Sequence, residues 1–140
     1  MKALYTAEAL ATGEGRDGHG RTSDGRLDLD LAIPKEMGGS DNGTNPEQLF
    51  AIGYAACFHS ALRLVARQER VDVTDSSVGA RVMLGQIGNG GFGLAVELEV
   101  TLPNVDHETA MRVTEKAHQV CPYSNATRGN ITVALSVTDD

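Results

Sequence analysis

Two cysteines, two histidines near them, one early arginine and one carboxylate are the residues of this chain that could do chemistry. Cys57-x-His59 and His118-x-x-Cys121 put two sulfurs and two imidazoles within short spacings. A zinc site is the first chemistry to test. Residues i and i+3 of a helix can face one metal, but i and i+2 point about 200° apart. Cys57 and His59 therefore diverge, and three donors at most remain, short of a closed structural site. His59 then reads as a partly buried histidine and His118 as a cation near a helix C-terminus. His19 and His107 read as surface residues.

Thiol redox chemistry is the second. It needs a thiolate, because S⁻ is the nucleophile. A helix dipole cannot supply it at Cys57, about three turns beyond a start at Asn45, since the dipole fades within one turn. A break at Gly53 would give Cys57 a new N-terminus; otherwise a cation is required. Arg63 and Arg67 lie further along the same helix, and a glycine-rich turn offers Arg16. A guanidinium stabilises S⁻ and can donate to a peroxide oxygen as that oxygen gains charge. Glu47 is the group to hold such an arginine. Taken singly, Cys57 also fits a small core hydrophobe, Arg16 a solvated turn charge, and Glu47 a first-turn carboxylate that complements the dipole.

The elements that must position these groups follow from local signals. Asn45 then Pro46 is a helix cap followed by a first-position proline. From Leu49 to Ala66 the segment is apolar almost all round, so a helix buried on every face is expected. The run is too short and too interrupted to span a bilayer. Upstream, Lys2 to Thr12 reads as a strand, Gly20 to Ser23 as a second, and Asp24-Gly25 as a hairpin turn. Leu27, Leu29, Leu31 and Ile33 alternate with polar or small residues in a third strand, which Pro34 ends. Lys35 to Gly43 reads as a loop. Downstream, Ser77 to Ile87 and Phe92 to Leu102 form a hairpin about Gly88-Asn89-Gly90-Gly91. Gly88-x-Gly90-x-x-Gly93 formally matches a dinucleotide fingerprint, but no helix follows it. Asp106 caps a second helix that stops at Cys121-Pro122. Tyr123 to Gly129 reads as a loop and Ile131 to Val137 as a last strand. The order predicts an α+β fold with antiparallel sheets packed on a long central helix.

The 140 residues fit one domain, 1–140, without a linker or repeat. Such a chain cannot wrap a long apolar helix on all sides, which points to a dimer. The net charge of −7 and the lack of a basic stripe argue against nucleic-acid binding. The first twenty residues carry no signal-peptide pattern, so a cytoplasmic protein is expected, and no membrane partner. Two cysteines in a reducing compartment point to catalysis, redox activity or metal binding before a structural staple.

Two stretches carry a family resemblance. Thr44-Asn-Pro-Glu-Gln-Leu-Phe-Ala-Ile-Gly-Tyr-Ala-Ala-Cys-Phe58 and Val120-Cys-Pro-Tyr-Ser-Asn-Ala-Thr-Arg-Gly-Asn130 resemble the active-site segments of the organic hydroperoxide resistance proteins, in the osmotically inducible protein C superfamily. Gly15-Arg-Asp-Gly18 resembles their arginine turn, and Pro34-Lys-Glu-Met-Gly-Gly39 the loop before the helix. The resemblance implies that Cys57 is the peroxidatic cysteine, Cys121 the resolving one, and Arg16 with Glu47 the activating pair. It implies an intertwined homodimer, organic and fatty-acid hydroperoxides as substrates, and no metal or bound cofactor. It also implies recycling by an external dithiol, notably dihydrolipoamide or lipoyl groups on carrier proteins. Met37, Phe50, Ile52, Phe58 and Leu62 could then wall the sulfur with apolar surface.

Helix geometry adds one expectation. Ten residues separate Glu47 from Cys57, roughly 15 Å of straight helix. One arginine cannot touch both, so the working Glu47 is expected from the other subunit, unless the helix breaks near Gly53. Other readings stand beside this one: the osmotic-stress branch of the superfamily, a hydrophobic-ligand binder with incidental cysteines, and a zinc-binding module. The early position of Arg16, before Asp24-Gly25, favours the hydroperoxide branch.

Overall fold

The structure, a computed structural model, describes residues 1–138. It comprises two compact units, one spanning Met1–Leu49 and the other beginning at Phe50. The division falls in the opening turns of a helix, where no change of composition marks it.

The first unit holds an antiparallel sheet of β1 (Ala9–Thr12), β2 (His19–Thr22) and β3 (Asp28–Asp30), in that order. The Asp24-Gly25 turn forms as expected: Gly25 takes φ +74° and its N–H bonds Thr22 O at 2.9 Å. β1 and β3 are shorter than the alternation suggested, and β2 is shifted one residue toward the N-terminus. β1 is exposed along its whole length, so no buried face extends it toward Lys2. After β3 the chain continues as a parallel bridge between Leu31 and Thr44, then a 3-10 turn at Lys35–Met37 within the expected loop.

Helix α1 runs unbroken from Pro46 to Glu69. Asn45 Oδ1 accepts the Gln48 N–H at 2.9 Å, so the cap forms as its sequence predicts. At 24 residues α1 is long and apolar enough to cross a membrane by length and composition alone, so shortness does not exclude it. Its burial is one-sided: Tyr54, Phe58, Ala61, Leu62, Val65 and Ala66 are buried, whereas Ile52, Ala56 and Leu64 on the other side are exposed. The all-round burial expected from the sequence is thus not met within one chain. The helix closes with Val71 N–H on Ala66 O and Arg70 N–H on Arg67 O, a Schellman pattern. Arg70 holds φ +58° there, at the position glycine usually takes.

The second sheet pairs β4 (Ser77–Gln86) antiparallel with β5 (Phe92–Thr101) through ten registered pairs, Ser77↔Thr101 to Gln86↔Phe92. Strand β6 (Val133–Thr138) joins β5 parallel, not antiparallel. A parallel neighbour needs a crossover of a dozen residues or more. Helix α2 (His107–Val120) and helix α3 (Pro122–Thr127) supply it. Asp106 caps α2 by accepting the Thr109 N–H. Helix α3 replaces an expected loop: Pro122, read from sequence as a stop, serves as the first residue of a new helix. The core of this unit joins the buried stripe of α1 to Val96, Leu98 and Val100 of β5 and to Ala110, Val113 and Ala117 of α2.

Candidate active site

In the first unit Arg16 sits on a 3-10 turn, Gly15–Asp17. The turn needs its glycines: Gly15 has φ +67°, and a Cβ on Gly18 would meet Thr12 O at 2.2 Å. Asp17 Oδ1 accepts the Ile33 N–H at 2.9 Å and anchors the turn beyond β3. The Leu31–Thr44 bridge brings the start of α1 to the same sheet. Arg16 then grips Glu47 with both arms of its guanidinium, Nη1 to Oε2 at 2.9 Å and Nη2 to Oε1 at 2.7 Å. The Arg16 hydrogen bonds hold the Glu47 carboxyl below its usual range, against a smaller desolvation effect, and Glu47 raises the arginine.

Both members of this pair belong to one chain, and α1 does not break near Gly53. The expectation that Arg16 takes its glutamate from a partner subunit is therefore overturned. The turn and the first turn of α1 are already neighbours through the small sheet. Gly53 has a different role from a break: a Cβ there would lie 2.7 Å from the Tyr123 hydroxyl.

In the second unit Cys57 Sγ and Cys121 Sγ lie 3.4 Å apart, both as free thiols. Cys57 is half-buried midway along α1; Cys121 is fully buried between α2 and α3. A disulfide requires the sulfurs to close by about 1.4 Å. Burial raises the Cys57 thiol above its ordinary value, and Cys121 adds to that. The backbone N–H of Tyr123 opposes the shift by favouring the thiolate.

The remaining candidates separate. Phe58 and Leu62 are fully buried in the core, so a solute could reach them only by opening it. They are packing residues, which corrects their reading as pocket wall. A helix turns about 100° per residue, so sequence neighbours of Cys57 need not share its surroundings. Ile52 and Met37 are exposed, and Phe50 is partly buried against the rings of Tyr54 and Tyr123. His59 Nε2 meets Ser76 Oγ at 2.9 Å, and burial lowers its pKa. His118 is likewise lowered by burial first and by Arg128 second, so its expected role as a C-terminal cation is disfavoured. His19 lies between Asp28 and Asp30, whose carboxylates raise it, Asp30 first. Among the described residues no cluster of three or more His, Cys, Asp or Glu side chains could hold a metal ion.

Sequence reasoning missed a group of hydroxyls beside the thiols. Tyr54 Oη lies 2.9 Å from Ser124 Oγ and 3.0 Å from Thr127 Oγ1, all buried. The available signal was spacing: Tyr54 precedes Cys57 by three residues, and Ser124 follows Cys121 by three.

With fold and thiols in place, comparison with known proteins defines the class. Residues 38–136 match the OsmC-like protein family. The organic hydroperoxide resistance protein of Xanthomonas axonopodis pv. citri (strain 306) is 52% identical over 97% of this chain and 96% of its own length. OhrB of Bacillus subtilis (strain 168), also an organic hydroperoxide resistance protein, is 43% identical over 96% and 98%. The crystal structure of an organic hydroperoxide resistance protein from Elizabethkingia anophelis superposes with a TM-score of 0.94 at 53% identity, covering all of both chains. The chain belongs to the OsmC-like family, in its group of organic hydroperoxide resistance proteins.

Proposed function

We propose that this protein is a thiol peroxidase that reduces organic hydroperoxides to alcohols. The observation that carries the proposal is the 3.4 Å approach of the Cys57 and Cys121 sulfurs, in a family whose named relatives confer organic hydroperoxide resistance. In this reading the Cys57 thiolate attacks the distal oxygen of ROOH and the O–O bond breaks. The alkoxide takes a proton and leaves as ROH, and Cys57 becomes a sulfenic acid. The Cys121 thiol then displaces the hydroxyl as water, forming the disulfide. An external dithiol, of the dihydrolipoyl kind, reduces that disulfide by exchange and is itself oxidised.

Burial opposes ionisation of Cys57, so a cation is needed to poise it. The Arg16 guanidinium, held by Glu47, is proposed for that task and for donating to the peroxide oxygens. Ile52, Phe50 and Met37 offer apolar surface to an alkyl substituent. The exposed stripe of α1, with Ile52, Ala56 and Leu64, supports a homodimer in which a second copy covers it. A cytoplasmic setting, where a dithiol reductant would keep both thiols available, is part of this proposal. The test is turnover of tert-butyl hydroperoxide and of H₂O₂ with dihydrolipoamide, for wild type and Cys57→Ser. Wild type is expected to prefer the organic peroxide and Cys57→Ser to be inactive. Retained turnover in Cys57→Ser would sink the proposal.

A further inference from the structure

The two cysteines are not the only link between α1 and the α2–α3 junction. One helical turn before Cys57, the Tyr54 hydroxyl meets Ser124 Oγ at 2.9 Å and Thr127 Oγ1 at 3.0 Å. Ser124 lies one turn after Cys121, and its Oγ also meets His118 Nδ1 at 2.8 Å. Arg128 Nη1 donates to the His118 carbonyl at 2.9 Å, closing α3 back onto α2. A hydroxyl link thus runs beside the sulfur pair, displaced from it by three residues on both elements.

Satisfying a buried phenol would by itself explain one such bond. The placement does more. Cys121 has extended backbone angles, φ −61° and ψ 124°, and α3 spans only six residues. A helix that short is not stable alone, so tertiary contacts must set its position. Tyr54 bonds Ser124 in the first turn of α3 and Thr127 at its end, and Thr127 Oγ1 bonds back to Ser124 O at 3.3 Å.

We propose that the Tyr54–Ser124 hydroxyl link is a positioning device for the resolving step. It holds Cys121 against Cys57, so that disulfide closure outruns a second oxidation. This rests on the peroxidase reading above. The competing fates balance as follows. Either Cys57-SOH and Cys121-SH give the disulfide and water, or Cys57-SOH and a second ROOH give a sulfinic acid and ROH. Tyr54 and Ser124 touch neither sulfur by these bonds and act through the placement of Cys121.

The experiment treats reduced wild type, Tyr54→Phe, Ser124→Ala and the double variant with excess tert-butyl hydroperoxide. Intact mass spectrometry separates loss of two hydrogens (disulfide) from gain of two oxygens (sulfinic acid). Tyr54→Phe keeps the ring that packs on Phe50 and Tyr123. Each single variant is expected to raise the ratio of sulfinic acid to disulfide about fivefold, the equivalent of one hydrogen bond. The double variant should fall short of the product of the singles, because the Tyr54–Ser124 bond is common to both, while each also loses one bond of its own, Tyr54 to Thr127 and Ser124 to His118. First oxidation of Cys57 should keep its wild-type rate. Val100→Ala, a core truncation in β5, should leave the ratio unchanged and so controls for general loosening. A wild-type ratio in Tyr54→Phe, or a double effect equal to the product of the singles, overturns the proposal. Closure by diamide, which needs no peroxide, is measured in parallel. Slower closure in the variants supports the positioning role even if wild type fails to turn over peroxide, an outcome that would sink only the peroxidase reading. Equal closure rates overturn the positioning role.

Discussion

The Arg16–Glu47 pair and the Cys57–Cys121 pair show two ways of holding reactive groups. Arg16 and Glu47 sit in the first unit, with 36% and 16% of their side chains exposed. A glycine turn and a helix start position them, and two charge-assisted hydrogen bonds fix their orientation. Little apolar packing depends on them. The thiols lie in the second unit, where Cys121 is fully buried and its neighbours are core residues and mutually bonded hydroxyls. There, packing sets the geometry, and a polar group without a partner is costly. The contrast implies that the ionic pair can be changed with small effects on folding, whereas the thiol region cannot.

The strongest challenge to that contrast is Leu62→Ala. Leu62 is fully buried one turn beyond Phe58, so truncation should destabilise by about 2–5 kcal/mol, read from the denaturant midpoint. A cost under about 1 kcal/mol would restore Leu62 as an open pocket residue. Next, Arg16→Ala should lower the rate of peroxide reduction by about 10²-fold, the scale for losing one donor to a developing charge. It should change stability by no more than about 1 kcal/mol, as expected for a partly exposed pair. A large stability loss with a matched activity loss would assign Arg16 a structural role.

A pH series sharpens the comparison with a smaller effect. His59 and His118 are held neutral by burial, so the unfolded chain binds more protons below its ordinary histidine pKa. Their contribution is present above about pH 6.5 and is lost as pH falls below it. Glu47 has a lowered folded pKa, so its contribution is present above the ordinary glutamate range and is lost as pH falls from that range through the lower folded value. Denaturant midpoints should therefore fall in two stages on acidification, the histidine stage partly offset by His19, whose raised pKa stabilises the fold as it protonates, and absent in a His59→Gln, His118→Gln variant. The smallest predicted change is a gain. Among the described residues Thr114 Oγ1 is buried without a hydrogen-bond partner. Thr114→Val should raise stability by about 1 kcal/mol in the same assay, since it removes an unsatisfied group at nearly constant volume.

Much of this could be read before any coordinates. The Asn45 cap, the Asp24-Gly25 turn and the β4–β5 hairpin depend on interactions within a few residues, and each formed where its local chemistry placed it. Pro122 shows the limit: a proline that stops one helix also suits the first position of the next, and only packing chose between them. The all-round apolar character of α1 likewise could not say which side a single chain would bury.

By itself, then, the amino-acid order determined the helix that carries Cys57, the turn that carries Arg16 and most of the strand segments, because caps, turn residues and periodicity are short-range physics. The tertiary structure decided which groups meet. It joined β6 parallel to β5, closed Arg16 on the Glu47 of its own chain, and set two sulfurs 64 positions apart at 3.4 Å with a hydroxyl link beside them. Contacts at such separation depend on how the whole core packs, and no local pattern encodes that distance.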